Sequence, residues 1–207
     1  MNAGKATIAG FEVDASASAA GFKVDLGYTY LHTELQQLTV PPIPAGAPYS
    51  AFIPTAVVGG PLAQAPSSRL TLGATYTLPL SDGLGKLSVG VNFIHTSRQV
   101  ITQATLGPDL YASIIAANGK VPLLANYLGS GPVDLRYLPQ TDLVNLNVNW
   151  NDVMGKPIDV AFFVTNLTNQ IYPIAIGQSY NSAGFESLLY GAPRMWGFRV
   201  KYRFGGN

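Results

Sequence analysis

The sequence predicts an all-β chain, an antiparallel meander of about seven long strands forming an incomplete segment of a transmembrane β-barrel. Three observations predict it. Apolar and polar residues alternate with a period of two in stretch after stretch. Charged residues are only 11% of the 207, against roughly 25% in soluble domains, yet apolar runs are short. Finally, the connections between the alternating stretches sort into short turns and long loops. A barrel in lipid dilutes its apolar residues twofold with polar ones that face the lumen, which yields this composition.

The closing stretch, Pro193 to Phe204, shows the alternation most clearly. Trp196, Phe198, Val200, Tyr202 and Phe204 share one face; Gly197, Arg199, Lys201 and Arg203 share the other. Side chains of a strand point alternately to opposite sides, so this is one strand with an apolar and a basic face.

From the start of the chain, Lys5–Ser18 sets Phe11, Val13, Ala15 and Ala17 against Glu12, Asp14, Ser16 and Ser18. After a turn at Gly21, Phe22–Thr33 sets Phe22, Val24, Leu26, Tyr28 and Tyr30 against Lys23, Asp25, Gly27 and Thr29. Leu38–Pro66 is proline-rich and without periodicity, the signature of a loop. Arg69–Leu80 and Lys86–Thr96 form a third and fourth strand, joined by the glycine-bearing hairpin Ser81–Gly85. Ile94 breaks the alternation of the fourth.

Thr105–Leu135 is a second long loop, with a short helix predicted over Leu110–Ala117. The fifth strand, Pro139–Asp152, alternates Val144, Leu146, Val148 and Trp150 with Asn145, Asn147 and Asn149. A turn at Met154–Pro157 leads to Ile158–Leu167, regular except for Phe163. Gln170–Ala192 is the third long connection.

In an antiparallel meander, alternate connections lie at the same end. All short turns therefore share one end and all long loops the other, as in outer-membrane barrels and unlike a β-sandwich. Such barrels close with an even number of strands, and open edges do not survive in hydrocarbon. Seven strands, with no secretion signal at Met1–Gly4, are expected to be the C-terminal part of a larger barrel.

The function classes narrow accordingly. A net charge of +1 argues against a nucleic-acid partner, and zero cysteines exclude thiolate chemistry and disulfides. His32 and His95 sit at corresponding places, Leu31-His32-Thr33 and Ile94-His95-Thr96, without a third ligand for a metal. By parity both continue the lipid face just past its apolar band, where amphipathic rings meet water. No serine is marked as an activated nucleophile, and no cofactor is predicted. Asn166-Leu167-Thr168 matches a glycosylation acceptor by chance.

Several stretches resemble the C-terminal end of a TonB-dependent outer-membrane receptor. Asn2 to Val13 is similar to the family's Gly-x-Glu opening of a mid-barrel strand. Ala65-Pro66 followed by Leu70 to Tyr76 resembles its proline-led strand, and Val164 to Tyr172 resembles its Asn-Leu-aromatic-Asp-x-x-Tyr element. Pro193-Arg194 through Gly197 and Tyr202-Arg203-Phe204 resemble its closing strand.

The resemblance spans nearly the whole chain. It implies that residues 1–207 are about the last third of a plugged barrel of about 22 strands, without the plug and N-terminal strands. It further implies location in the outer membrane of a Gram-negative bacterium. The expected activity is TonB-dependent uptake of a scarce small-molecule nutrient such as a ferric siderophore, cobalamin or a carbohydrate, not enzymatic catalysis. A passive porin-like or structural barrel is the alternative.

The partners implied are outer-membrane lipid, the barrel-assembly machinery, and, through the missing part, the plug and TonB. Glu12, Asp14, Lys23, Asp25, Asn145, Asn147, Asn149, Arg199, Lys201 and Arg203 are expected to face the lumen. Trp196, Phe198, Val200, Tyr202 and Phe204 resemble the terminal signal by which such barrels are recognised for insertion.

Overall fold

The computed structural model describes residues 4–38, 58–101, 137–177 and 187–205. Its strands are β1 (Gly4–Ala19), β2 (Phe22–Leu38), β3 (Ser68–Thr77), β4 (Lys86–Thr96), β5 (Gln99–Val100), β6 (Tyr137–Leu138), β7 (Thr141–Asn151), β8 (Ile158–Thr165), β9 (Pro173–Gly177), β10 (Ser187–Tyr190) and β11 (Met195–Tyr202). Seven of them form one antiparallel sheet in the order β1-β2-β3-β4-β7-β8-β11, which is not closed into a barrel. The short pairs β5–β6 and β9–β10 stand outside it.

Register carries the alternation across every strand of the sheet. One cross-strand row runs Ala19, Phe22, Tyr76, Val89, Val148, Phe162, Phe198. The next runs Ala17, Val24, Ala74, Val91, Leu146, Val164, Trp196. Leu26, Leu72 and Phe93 belong to a third row of the same face. Aromatic pairs link neighbouring strands on it: Phe22 stacks on Tyr76 with centroids 4.3 Å apart, and Phe162 meets Phe198 at 5.0 Å.

Among the described residues this apolar face has no second sheet upon it. Trp196, Phe198 and Val200 are each about two-thirds exposed, and removing such a side chain from water is worth roughly 1.5–3 kcal/mol. Among the described residues no large side chain is fully buried. A water-soluble sheet would place this face against a core.

Boundaries differ from expectation in several places, and β3 ends at Thr77 rather than Leu80. β2 runs to Leu38 rather than Thr33, because Leu31, Leu35 and Thr33 find partners in the following chain: Leu31 N–H donates to the Ser67 carbonyl, Leu35 N–H to the Gly60 carbonyl, and Leu62 N–H to Thr33 Oγ1. The last part of the first long loop is therefore paired backbone. β8 ends at Thr165, where Asn166 turns to φ 50°. Within the third connection, β9 and β10 form a hairpin. The helix expected over Leu110–Ala117 lies outside the described residues.

The three short turns lie at the common end of the sheet. Two of them touch: a Cβ on Gly85 would collide with the carbonyl oxygens of Asn151 and Asp152. Gly85 has φ 82°, which only glycine adopts readily.

Candidate functional site: the polar face and the two rims

The opposite face collects the polar half of each strand. Its rows run Ser16, Asp25, Gly73, Asn92, Asn145, then Ser18, Lys23, Thr75, Gly90, Asn147, Phe163, Gly197. Asp14 and Glu12 pair with Gly27 and Thr29; Asn149, Ala161 and Arg199 form a further row, and Lys201 pairs with Asp159. The structure thus brings Glu12, Asp14, Lys23, Asp25, Asn145, Asn147, Asn149, Arg199 and Lys201 onto one face, and Arg203 continues it by parity.

Short bonds order the acidic end of this face. Lys23 Nζ lies 2.9 Å from Asp25 Oδ2, Ser16 Oγ donates to Asp25 Oδ1 at 2.9 Å, and Thr29 Oγ1 donates to Glu12 Oε1 at 3.2 Å. An open recess of about 520 Å³ is bounded by Glu12, Asp14, Asp25, Thr29, Arg69 and Asn92. Arg69 brings a cation among three carboxylates; alternation puts it on this face, though it is not among the residues expected to line the lumen.

Glycines make this packing possible. A Cβ on Gly90 would lie 2.7 Å from Asn147 Oδ1, so the Asn147 amide occupies the space over Gly90. Its Oδ1 also accepts from Asn149 Nδ2 at 3.0 Å. At Gly197 a Cβ would stand 2.8 Å from the Phe163 ring, which explains the one aromatic residue of β8 on the polar face. Ile94, the other exception, pairs with Leu143 of β7, so two apolar side chains face each other there.

At the long-loop end, polar bonds stitch β4 and β7 to the chain just after β8 and just before β11. His95 Nδ1 is 2.6 Å from Asp142 Oδ1, and the Asp142 N–H donates to Gln170 Oε1 at 2.9 Å. Gln170 N–H in turn donates to Asn166 Oδ1 at 2.9 Å. Asn166 Nδ2 donates to the carbonyls of Gln170 and Ala192, and its own N–H to Asn145 Oδ1. Asn166 is 4% exposed, so its amide is committed within the fold and closed to modification. His32 lies only 3.9 Å from Glu34, and no group of three metal-ligating side chains occurs among the described residues.

The short-turn end holds the closing strand. The Arg203 guanidinium contacts Asp152 through Nη2 and Asp159 Oδ2 through Nη1 at 2.6 Å, and Arg203 N–H donates to the Pro157 carbonyl. Asp152 N–H donates to Asp159 Oδ1 at 3.0 Å, fixing the two carboxylates relative to each other. On the apolar side Tyr202 and Phe204 meet edge to face at 4.5 Å.

An open antiparallel sheet with an exposed apolar face, a charged and amide-rich opposite face, and turns sorted by length defines the wall of a membrane β-barrel. The TonB-dependent receptor-like β-barrel family matches residues 1–167, and the chain belongs to that family, one of receptors rather than enzymes. Among solved structures, the ferric yersiniabactin uptake receptor of Yersinia pestis matches with a TM-score of 0.65 at 12% identity, over 99% of this chain and 24% of its own. The ferric preacinetobactin receptor of Acinetobacter baumannii matches with a TM-score of 0.61 at 20% identity, over 98% and 23%. A siderophore receptor of the same organism gives 0.60 at 16%, over 95% and 22%. At these identities the likeness is one of fold, and the chain spans about a quarter of their length. No curated protein sequence is similar enough to match.

Proposed function

We propose that this chain is the C-terminal wall of an outer-membrane receptor that takes up a scarce nutrient, a ferric siderophore being favoured, with energy delivered through TonB. The apolar face that runs in register across seven strands, most exposed on β1, β2 and β11, carries the membrane part of this reading. The polar face lines the lumen, where Glu12, Asp14, Lys23, Asp25, Asn145, Asn147, Asn149, Arg199, Lys201 and Arg203 meet water or a plug carried by the rest of the protein. Placing those charges toward lipid would instead cost roughly 2–4 kcal/mol for each Arg or Lys at the midplane.

The closing strand, with Trp196, Phe198, Val200, Tyr202 and Phe204, serves as the signal for the assembly machinery. Strand addition supplies the physics, since main-chain pairing gives affinity and alternate side chains give specificity. The ferric ligands named for two of these structural neighbours, and the siderophore named for the third, support iron as the cargo class.

Uptake of radiolabelled ferric siderophores by cells expressing the full-length gene tests the reading. Uptake that stops on deletion of TonB is expected. Uptake unaffected by loss of TonB and of the proton gradient would instead mark a passive pore.

A further inference from the structure

The closing strand β11 pairs with β8 through eight residue pairs, from Met195 with Thr165 to Tyr202 with Ile158. Slippage by one residue would turn its basic face toward the apolar side, and alternation forbids it. A slip by two preserves both faces. The apolar side offers little against that slip, because Trp196, Phe198, Val200 and Tyr202 are all apolar, and so are their partners Val164, Phe162, Val160 and Ile158.

We propose that the polar face sets the register of β11 through two contacts that no two-residue slip preserves: Gly197 beneath Phe163, and Arg203 between Asp152 and Asp159. The first contact favours a residue without a side chain, since a Cβ would stand 2.8 Å from the tip of the ring and the ring would have to shift. The second requires a planar fork able to serve two carboxylates at once, which a lysine cannot supply as a point charge.

Each slip breaks both contacts. Moved one way, Met195 comes under the Phe163 ring and Lys201 replaces Arg203 between the carboxylates. Moved the other way, Arg199 comes under the ring and Gly205 leaves the carboxylates without a cation. The two contacts lie near opposite ends of the strand, so they also resist local fraying. The device sets which residues of β11 present their free edge, whatever nutrient the barrel carries.

Cysteine pairs in the membrane-inserted full-length protein test this. The chain has no cysteine of its own. Val160→Cys with Val200→Cys reports the observed register, since these residues are direct partners. Val160→Cys with Phe198→Cys, or with Tyr202→Cys, reports the two slips, whose cysteines are diagonal and beyond disulfide reach in the observed register.

With both contacts intact, only the first pair should close. In the Phe163→Ala, Arg203→Gln background, a slipped pair should gain about tenfold in yield, as a loss of about 1.4 kcal/mol of discrimination implies. Closure of the observed-register pair alone in that background would overturn the proposal. Should the double background fail to accumulate, each single substitution is read the same way. A slipped crosslink in either supports the device, and none in both overturns it.

Discussion

His95 Nδ1 and Asp142 Oδ1 meet at 2.6 Å although 47 residues separate them in the chain. The pair joins β4 to β7 across a connection most of which lies outside the described residues. Both residues sit at apolar parity, one step past Phe93 and Val144, where the apolar band ends. Replacing Asp142 by Ala removes the carboxylate while leaving the backbone bond to Gln170. A partly exposed hydrogen bond of this kind contributes about 0.5–1.5 kcal/mol. A double-mutant cycle with His95→Ala, read from urea midpoints of the full-length barrel, should return a coupling in that range.

The two faces should respond oppositely to the same substitution. Val148→Arg places a guanidinium in the middle of the apolar face, with an expected loss of roughly 2–4 kcal/mol in lipid. Asn147→Arg, its chain neighbour on the polar face, should cost far less. Folding titrations into liposomes measure both, and equal losses would contradict the assignment of faces.

Asn166 combines an αL backbone with four hydrogen bonds. Asn166→Gly keeps the backbone conformation and removes the side-chain bonds to Gln170 and Ala192, each worth about 0.5–1.5 kcal/mol. Asn166→Ala adds the left-handed strain of a non-glycine residue, about 1–2 kcal/mol. Limited proteolysis should open the β9–β10 hairpin in both variants, and faster in the alanine one.

The terminal aromatics give a test in cells. Replacing Tyr202 and Phe204 by polar residues should lower the amount of assembled barrel, seen as heat-modifiable migration of the full-length protein. Arg199→Ala, on the polar face, should change it little. Wild-type assembly of the double variant would remove the terminal strand from the recognition step.

The 207-residue chain alone should aggregate or be degraded. β1 and β11 each carry a row of backbone groups without a sheet neighbour among the described residues, a template for pairing with other chains. A folded, monodisperse product of the isolated chain in detergent is the outcome that contradicts its being part of a larger barrel.

Alternation made the faces legible from the residues alone. Which side a strand residue takes is a local property of the backbone with a period of two, so Phe22, Val24, Leu146, Val148 and Phe198 could be grouped before any pairing was known. Turn chemistry at Gly21, Ser81–Gly85 and Met154–Pro157 likewise located the hairpins, since those signals lie within a few residues.

What remained hidden depends on partners distant in sequence. Nothing local explains Phe163 on a polar face; its reason is Gly197, which reaches it only when β11 pairs with β8 in one register. The extension of β2 to Leu38, the role of Arg69, and the companions of His95 and Asn166 have the same origin. The sequence by itself determined which side chains share the apolar face and which the polar one. Only the tertiary structure decided who meets whom, because pairing across long loops depends on contacts between complete strands, not on any one strand's own pattern.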